Sequence, residues 1–277
     1  MTSQSEKARA FRALHERPGL FVIPNPWDAG SARILAGLGF EALATTSAGF
    51  AASNGLADYN VTRDMKLAHI RVLAAATPLP LAGDLENGFG HSPEDCAETI
   101  RLSAEAGLVG GSIEDYSGEA DAPIYEIAAA ADRIRAAAEA ARSLHHDYVL
   151  TARAENYLHG NPDLGDTIAR LQAYQEAGAD VLYAPFLPTM EDIRSVLASV
   201  DRPVNVLMGP VAGFVPMAEL EAAGVRRVSM GSALSNVAYR ALIAAGRELL
   251  GPGTLDFLKG PGAGESLTAL MAQGAGN

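Results

Sequence analysis

The sequence predicts an α/β chain folded as a (β/α)8 barrel, the TIM barrel, with an additional C-terminal helical segment. Three observations support that expectation: eight short apolar runs of strand length recur along the chain, amphipathic stretches separate them, and four of those stretches end in glycine just before a strand. The four junctions are AGLGF at 36–40, EAGLV at 105–109, EAGAD at 176–180 and EAAGV at 221–225. Each is a helix stop whose glycine is free to take a positive φ. Strands that alternate with helices and are apolar on both faces specify a parallel sheet. Eight such units match a closed barrel, whereas an open doubly wound sheet more often has about five to seven strands.

A helix is expected over residues 5–16, stopped by Pro18-Gly19, before the first strand run LFVIP at 20–24. The second run is EALATTS at 41–47 and the third PLPLAGDLE at 78–86. A helix over 92–106 carries the single cysteine, Cys96, and leads to GLVGGSIED at 107–115. IYEIAAAADRIRAAAEAARSL keeps helical spacing with few β-branched residues, so a helix is expected from a first turn near Pro123 to about residue 144. DYVLTARAE at 147–155, ADVLYAP at 179–185, PVNVLMG at 203–209 and VRRVSMG at 225–231 complete the eight runs. A helix over 238–250 is broken by GPG at 251–253, and TLDFLK and SLTALMAQ suggest a short helical appendage. The expectation is one domain, 1–277, with 236–277 as an extension that either caps the barrel or packs on a neighbour.

Composition narrows the partners. The 277 residues carry 33 acidic against 21 basic side chains, a net charge of -12, which argues against nucleic acid or an anionic membrane. One cysteine permits no intrachain disulfide, and a helical position reads as a structural thiol. The amino end lacks the apolar stretch of a signal peptide, and no uninterrupted apolar run reaches about 18 residues, so a cytoplasmic protein with a small-molecule partner is expected.

Barrel chemistry belongs at the carboxyl ends of the strands. Asp84 and Glu86 form an i,i+2 pair there, so both carboxylates are expected in one mouth unless one turns outward to a salt bridge. Two adjacent acids repel unless a cation or a shared proton intervenes, and a hard divalent ion takes oxygen ligands. Glu114, ending the fourth run, either joins the same ion or lies in solvent. The small-residue loop TTSAGFAASNGLADYN at 45–60 lets backbone N–H groups approach an anion and brings Asp58 near the mouth. Arg153 suits a substrate carboxylate, with a structural ion pair to Glu155 as the alternative. Asn205 is either a carboxylate-binding amide or a satisfied core amide, and Tyr183 reads as packing. The six histidines show no ligand spacing, and there is no G-x-S-x-G elbow, phosphate loop or dinucleotide fingerprint.

NPWDAGSARIL at 25–35, TTSAGFAAS at 45–53, GLADY at 55–59, GDLENGFG at 83–90, SIEDY at 112–116 and LTARAE at 150–155 together resemble the isocitrate lyase and phosphoenolpyruvate mutase superfamily, with its 2-methylisocitrate lyase-like and carboxyvinyl-carboxyphosphonate phosphorylmutase-like members. The resemblance implies a barrel that binds Mg²⁺, with Mn²⁺ as alternative, and an α-oxo or α-hydroxy carboxylate. It implies Asp84, Glu86 and Glu114 as metal residues, Thr46, Ser47 and Ala48 with Arg153 at the substrate, and Asp58 near metal and substrate; the catalytic groups expected are Asp58, Arg153 and Tyr116, with Asp58 or Tyr116 as the base of a retro-aldol step, and Asn205 joins the substrate residues on its strand-end amide. The resemblance also implies a homotetramer or homodimer in which the segment 236–277 is exchanged between subunits. The Lys-Lys-x-Cys-Gly gating loop of true isocitrate and methylisocitrate lyases is missing, since the chain reads EDYSGEADAPIYE there, and YAPFLP lacks those lyases' acid after the sixth strand. The function expected is therefore a Mg-dependent carbon–carbon lyase, of the oxaloacetate-like decarboxylase or 2-alkylmalate/methylisocitrate type. Phosphonopyruvate hydrolase or phosphoenolpyruvate phosphomutase chemistry is the first alternative, and a catalytically inactive carboxylate-binding barrel the second.

Overall fold

The eight apolar runs become eight parallel strands in a computed structural model that describes residues 2–208, 215–259 and 266–276. They are β1 (Phe21–Ile23), β2 (Leu43–Ala44), β3 (Leu81–Asp84), β4 (Gly110–Glu114), β5 (Val149–Arg153), β6 (Val181–Tyr183), β7 (Val204–Leu207) and β8 (Arg227–Ser229). The sheet runs β1-β8-β7-β6-β5-β4-β3-β2, every neighbour parallel. No strand ladder joins β1 to β2. That seam is closed by one backbone bond, Ala44 N–H to the Pro24 carbonyl at 3.1 Å. The Asn25 amide reinforces it, donating to the Ala44 and Thr45 carbonyls at 3.1 and 3.2 Å and accepting from Met230 N–H of the β8 side at 2.8 Å.

The helices are α1 (Gln4–Glu16), α2 (Ala29–Gly37), α3 (Ser47–Ser53), α4 (Arg63–Ala76), α5 (Pro93–Glu105), α6 (Ile127–Arg142), α7 (Leu164–Ala177), α8 (Met190–Ser199), α9 (Met217–Ala223), α10 (Ala233–Leu250) and α11 (Leu267–Gly274), with a 3₁₀ turn at Asp256–Lys259. Apolar residues at helical spacing, such as Leu67, Ile70 and Leu73 of α4, turn one face of each wrapping helix to the strands. Helix α1 instead closes the amino end of the barrel. Its Phe11 and Leu14 pack with Phe21, Ile23, Val149 and Val181, and Gly110 admits the Phe11 ring because a Cβ there would stand 2.6 Å from it. The four predicted junction glycines, Gly39, Gly107, Gly178 and Gly224, all have positive φ, from 94° to 116°.

Three expectations shift. The second strand shrinks from seven residues to Leu43–Ala44 because Thr46 caps α3, its hydroxyl accepting from Gly49 N–H at 3.2 Å. The helix expected from Pro123 begins at Ile127, since the preceding segment forms a β-bridge between Ile124 and Tyr116. Helix α10 starts five residues before the expected 238. Gly209, at the end of the seventh run, lies outside the described residues.

Helix α11 lies along α2 of its own chain, backbone against backbone, where a Cβ on Gly37 or Gly274 would strike the carbonyl of Leu270 or Arg33. Helix α10 buries only Ser235 and exposes Val237, Leu242, Ile243, Leu249 and Leu250. Among the described residues no helix is long and apolar enough to cross a membrane.

Candidate active site

A cavity of about 180 Å³ opens at the carboxyl ends of the strands, and Thr46, Ser47, Ala48, Asp58, Asp84, Arg153 and Asn205 all line it. Glu86, Glu114 and Tyr116 do not. Residue 86 turns into the left-handed region at φ 50°, which breaks the strand alternation after Asp84. Asp84 therefore faces the cavity, while Glu86 faces an adjoining groove that Tyr116 also lines. The shared mouth expected of the i,i+2 pair is corrected accordingly: the two acids lie close in space but on different walls.

Arg153 organises the site. Its Nη1 meets Asp84 at 2.9 Å, its Nη2 meets Glu114 at 3.1 Å, and its Nε donates to Glu155 at 2.7 Å. The substrate-binding and ion-pair readings of Arg153 thus coexist, since it reaches the cavity while joined to three acids. Burial disfavours its charge, but Glu155, Glu114 and Asp84 outweigh that and hold it firmly protonated. Asp84 is likewise penalised by burial, yet Arg153, Lys66 and the Ser47 donors bring its pKa to about 2. Ser47 gives Asp84 Oδ2 both its N–H at 3.0 Å and its hydroxyl at 2.9 Å. The Ser47 amide, expected to hold substrate, is therefore committed to Asp84.

The other acids move the opposite way. Burial and the Asp84 charge push Glu86 up to about 7, and burial raises Glu114 well above the ordinary carboxylate range. Asp58, raised by burial and by Asp84, accepts a hydrogen bond from Tyr59 N–H at 3.1 Å. Among the described residues no three His, Cys, Asp or Glu side chains already converge as a metal cage. The donor chemistry nonetheless fits a hard divalent cation. Glu86 Oε1 and Glu114 Oε1 are buried without a hydrogen-bond partner, an arrangement that costs free energy unless a cation or proton completes it.

Several participants were not singled out from sequence. Lys66 is fully buried with Nζ unpartnered, and Asp84 and Glu86 are the leading favourable charges around it. Its signal was a lysine standing four and seven residues before Ile70 and Leu73 on the apolar face of α4. Tyr183, read as packing, lies with its ring 5.2 Å from the Arg153 guanidinium and lines the cavity. Tyr116 stacks on His159 with ring centroids 3.7 Å apart, and Tyr59 leans on Tyr116 at 4.7 Å, so three loops contribute one aromatic roof. Asn205 is a satisfied amide, donating to Ser229 Oγ at 2.9 Å and accepting from Arg227 Nε at 2.9 Å. Arg227 crosses the cavity floor to Thr151 Oγ1 at 3.0 Å and contacts His15 at 3.2 Å. Asp115 is buried, receiving Glu155 N–H, Arg170 and the Tyr174 hydroxyl, and so shapes the turn that presents Glu155.

Residues 11–250 match the phosphoenolpyruvate phosphomutase family. The chain is 30% identical over 213 residues to a 2-methylisocitrate lyase of Bacillus subtilis (strain 168), covering 73% of this chain and 67% of that one. A crystal structure from Burkholderia cenocepacia J2315, provisionally described as a lyase/mutase, superposes with a TM-score of 0.94 at 55% identity, over 97% of this chain and 96% of that one. The structure of 2,3-dimethylmalate lyase, a member of the PEP mutase/isocitrate lyase superfamily, superposes with a TM-score of 0.84 at 27% identity, over 98% and 95%.

Proposed function

The chain belongs to the phosphoenolpyruvate phosphomutase family, and from that membership we propose a cytoplasmic, Mg²⁺-dependent carbon–carbon lyase that acts on an α-oxo or α-hydroxy carboxylate in the barrel mouth. One observation carries this reading: acids from three consecutive strand ends gather on Arg153, and beside them two buried carboxylate oxygens, Glu86 Oε1 and Glu114 Oε1, lack partners. Asp84, Glu86 and Glu114 are the residues that would hold Mg²⁺, or Mn²⁺ in its place. The ion supplies positive charge that polarises the substrate's C2 oxygen.

The protein's own groups bind, orient and protonate. Ala48 N–H, in the first turn of α3, has no acceptor within its helix and together with Thr46 offers a seat for a carboxylate oxygen. Arg153 sets a fixed positive charge beside that seat. Decarboxylation of a 3-carboxylated 2-oxo acid asks least of the site: the bond from C3 to the carboxyl carbon breaks, its electron pair passes into the enolate, and CO₂ departs. C3 then needs a proton. Asp58 lines the cavity and keeps its proton to higher pH than an ordinary aspartate, so it is assigned that transfer ahead of Tyr116, which stands outside. Phosphoryl transfer is less well served, because the cations lining the cavity, Arg153 and Arg227, are both already engaged by protein groups.

The test is release of a 2-oxo acid from oxaloacetate, 2,3-dimethylmalate, 2-methylisocitrate and 3-alkylated oxaloacetates with Mg²⁺, with phosphonopyruvate alongside. Turnover of a carbon substrate, lowered roughly a thousandfold in D84A/E86A, is expected. Phosphate release from phosphonopyruvate, with no product from any carbon substrate, overturns the reading.

A further inference from the structure

Strand order places β6 and β7 across the barrel from β2 and β3. Ser47 and Asp84, from the β2 and β3 ends, form the polar wall of the cavity. The facing wall comes from Leu158 after β5, Pro185 and Phe186 after β6, and Leu207 at the end of β7, with Tyr59 overhead. Ser232 adds a hydroxyl at its edge, and among the described residues no side chain of this wall carries a charge. The cavity's cations lie elsewhere, Arg153 held by three carboxylates and Arg227 on the floor against Asn205 and Thr151.

Backbone conformation marks the same surface. Tyr59 and Phe186 adopt φ of 62° and 66°, sparsely populated for bulky side chains, and both present aromatic surface to the cavity. A carboxylate set against this wall would lose water without gaining a cation or a strong donor, whereas an alkyl or aryl arm would bury apolar surface.

We propose that, apart from the carboxyl borne on C3, the part of the substrate beyond C3 is uncharged and apolar, so that the preferred ligand is a 2-oxo or 2-hydroxy acid carrying an alkyl or aryl arm against Leu158, Pro185, Phe186 and Leu207. This rests on the lyase reading, which seats the acid end at Thr46 and Ala48 beside Arg153 and leaves the arm to cross the cavity. It assigns Leu158 and Phe186 as specificity-determining residues.

Oxamates test it, because the oxalyl unit reproduces C1 and C2 and the nitrogen substituent reproduces the arm. Calorimetry with the Mg²⁺-loaded protein should show N-propyloxamate binding about tenfold or more tighter than N-oxalylglycine, whose arm ends in a carboxylate. Leu158 is exposed on its loop, so L158R tolerates the longer side chain and should reverse the preference. L38R, on a distant exposed leucine, should leave it unchanged. Tighter binding of N-oxalylglycine by the wild type, or a preference unmoved in folded L158R, overturns the inference while leaving the lyase reading intact. Binding of neither probe defeats both.

Discussion

At the residue scale the site is an ionisation problem that one guanidinium only partly solves. Arg153 is shared among Asp84, Glu114 and Glu155, and Glu86 is left outside its grip. Glu86 consequently carries a pKa raised from 4.5 to about 7, mainly by burial and then by Asp84. Folding makes this carboxyl hold its proton where the unfolded chain has lost it, so stability falls as pH rises from about 4.5 through about 7. At roughly 1.4 kcal/mol per pH unit the loss is about 3 kcal/mol. Urea unfolding with a chelator present should show that decline, E86Q should flatten it, and saturating Mg²⁺ should suppress it. A decline of the same size in E86Q would remove Glu86 as its source. Sequence located these acids through their spacing at strand ends. It gave no sign that Arg153 would bind three of them at once, because that depends on β3, β4 and β5 being adjacent. Nor did it place Lys66 behind the pair, although a lysine within an apolar helical stripe was a readable oddity.

At the element scale the junctions were the most legible part of the chain. A helix that ends just before a buried strand needs an abrupt reversal, and glycine provides it without Cβ strain. Gly224 isolates the effect. It caps α9 at φ 99° and has nothing within 4 Å of where a Cβ would stand. G224A should therefore cost about 1 kcal/mol from backbone strain alone, measured by chemical unfolding. Gly178, at φ 106°, adds crowding against the Arg142 guanidinium and should be the more sensitive of the two. Boundaries set by side-chain caps were less legible. Thr46 reads as a β-former inside EALATTS, but its hydroxyl is spent on α3, and the strand ends two residues earlier. Pro123 reads as a helix opener, yet the pairing of Tyr116 with Ile124 holds that segment extended until Ile127.

At the scale of the whole molecule the two C-terminal helices behave differently. Helix α11 is held against α2 by glycine-mediated backbone contact, whereas α10 leaves an apolar face uncovered, with Leu242 68% and Leu250 92% exposed. A face of that kind is expected to meet a partner, and in a homo-oligomer, tetramer or dimer, α10 would stand at the contact. Light scattering should give a mass above that of one chain, and L242E/I243E should lower it while retaining the barrel's circular dichroism. A monomeric wild type would exclude the assembly. The barrel itself is not uniformly closed. Seven neighbouring strand pairs share ladders, and the eighth contact rests on one main-chain bond and the Asn25 amide. Breathing of the ring should therefore start along that line, so deuterium would enter the Ala44 amide before those of β4 and β5, and the barrel would unzip from a fixed edge.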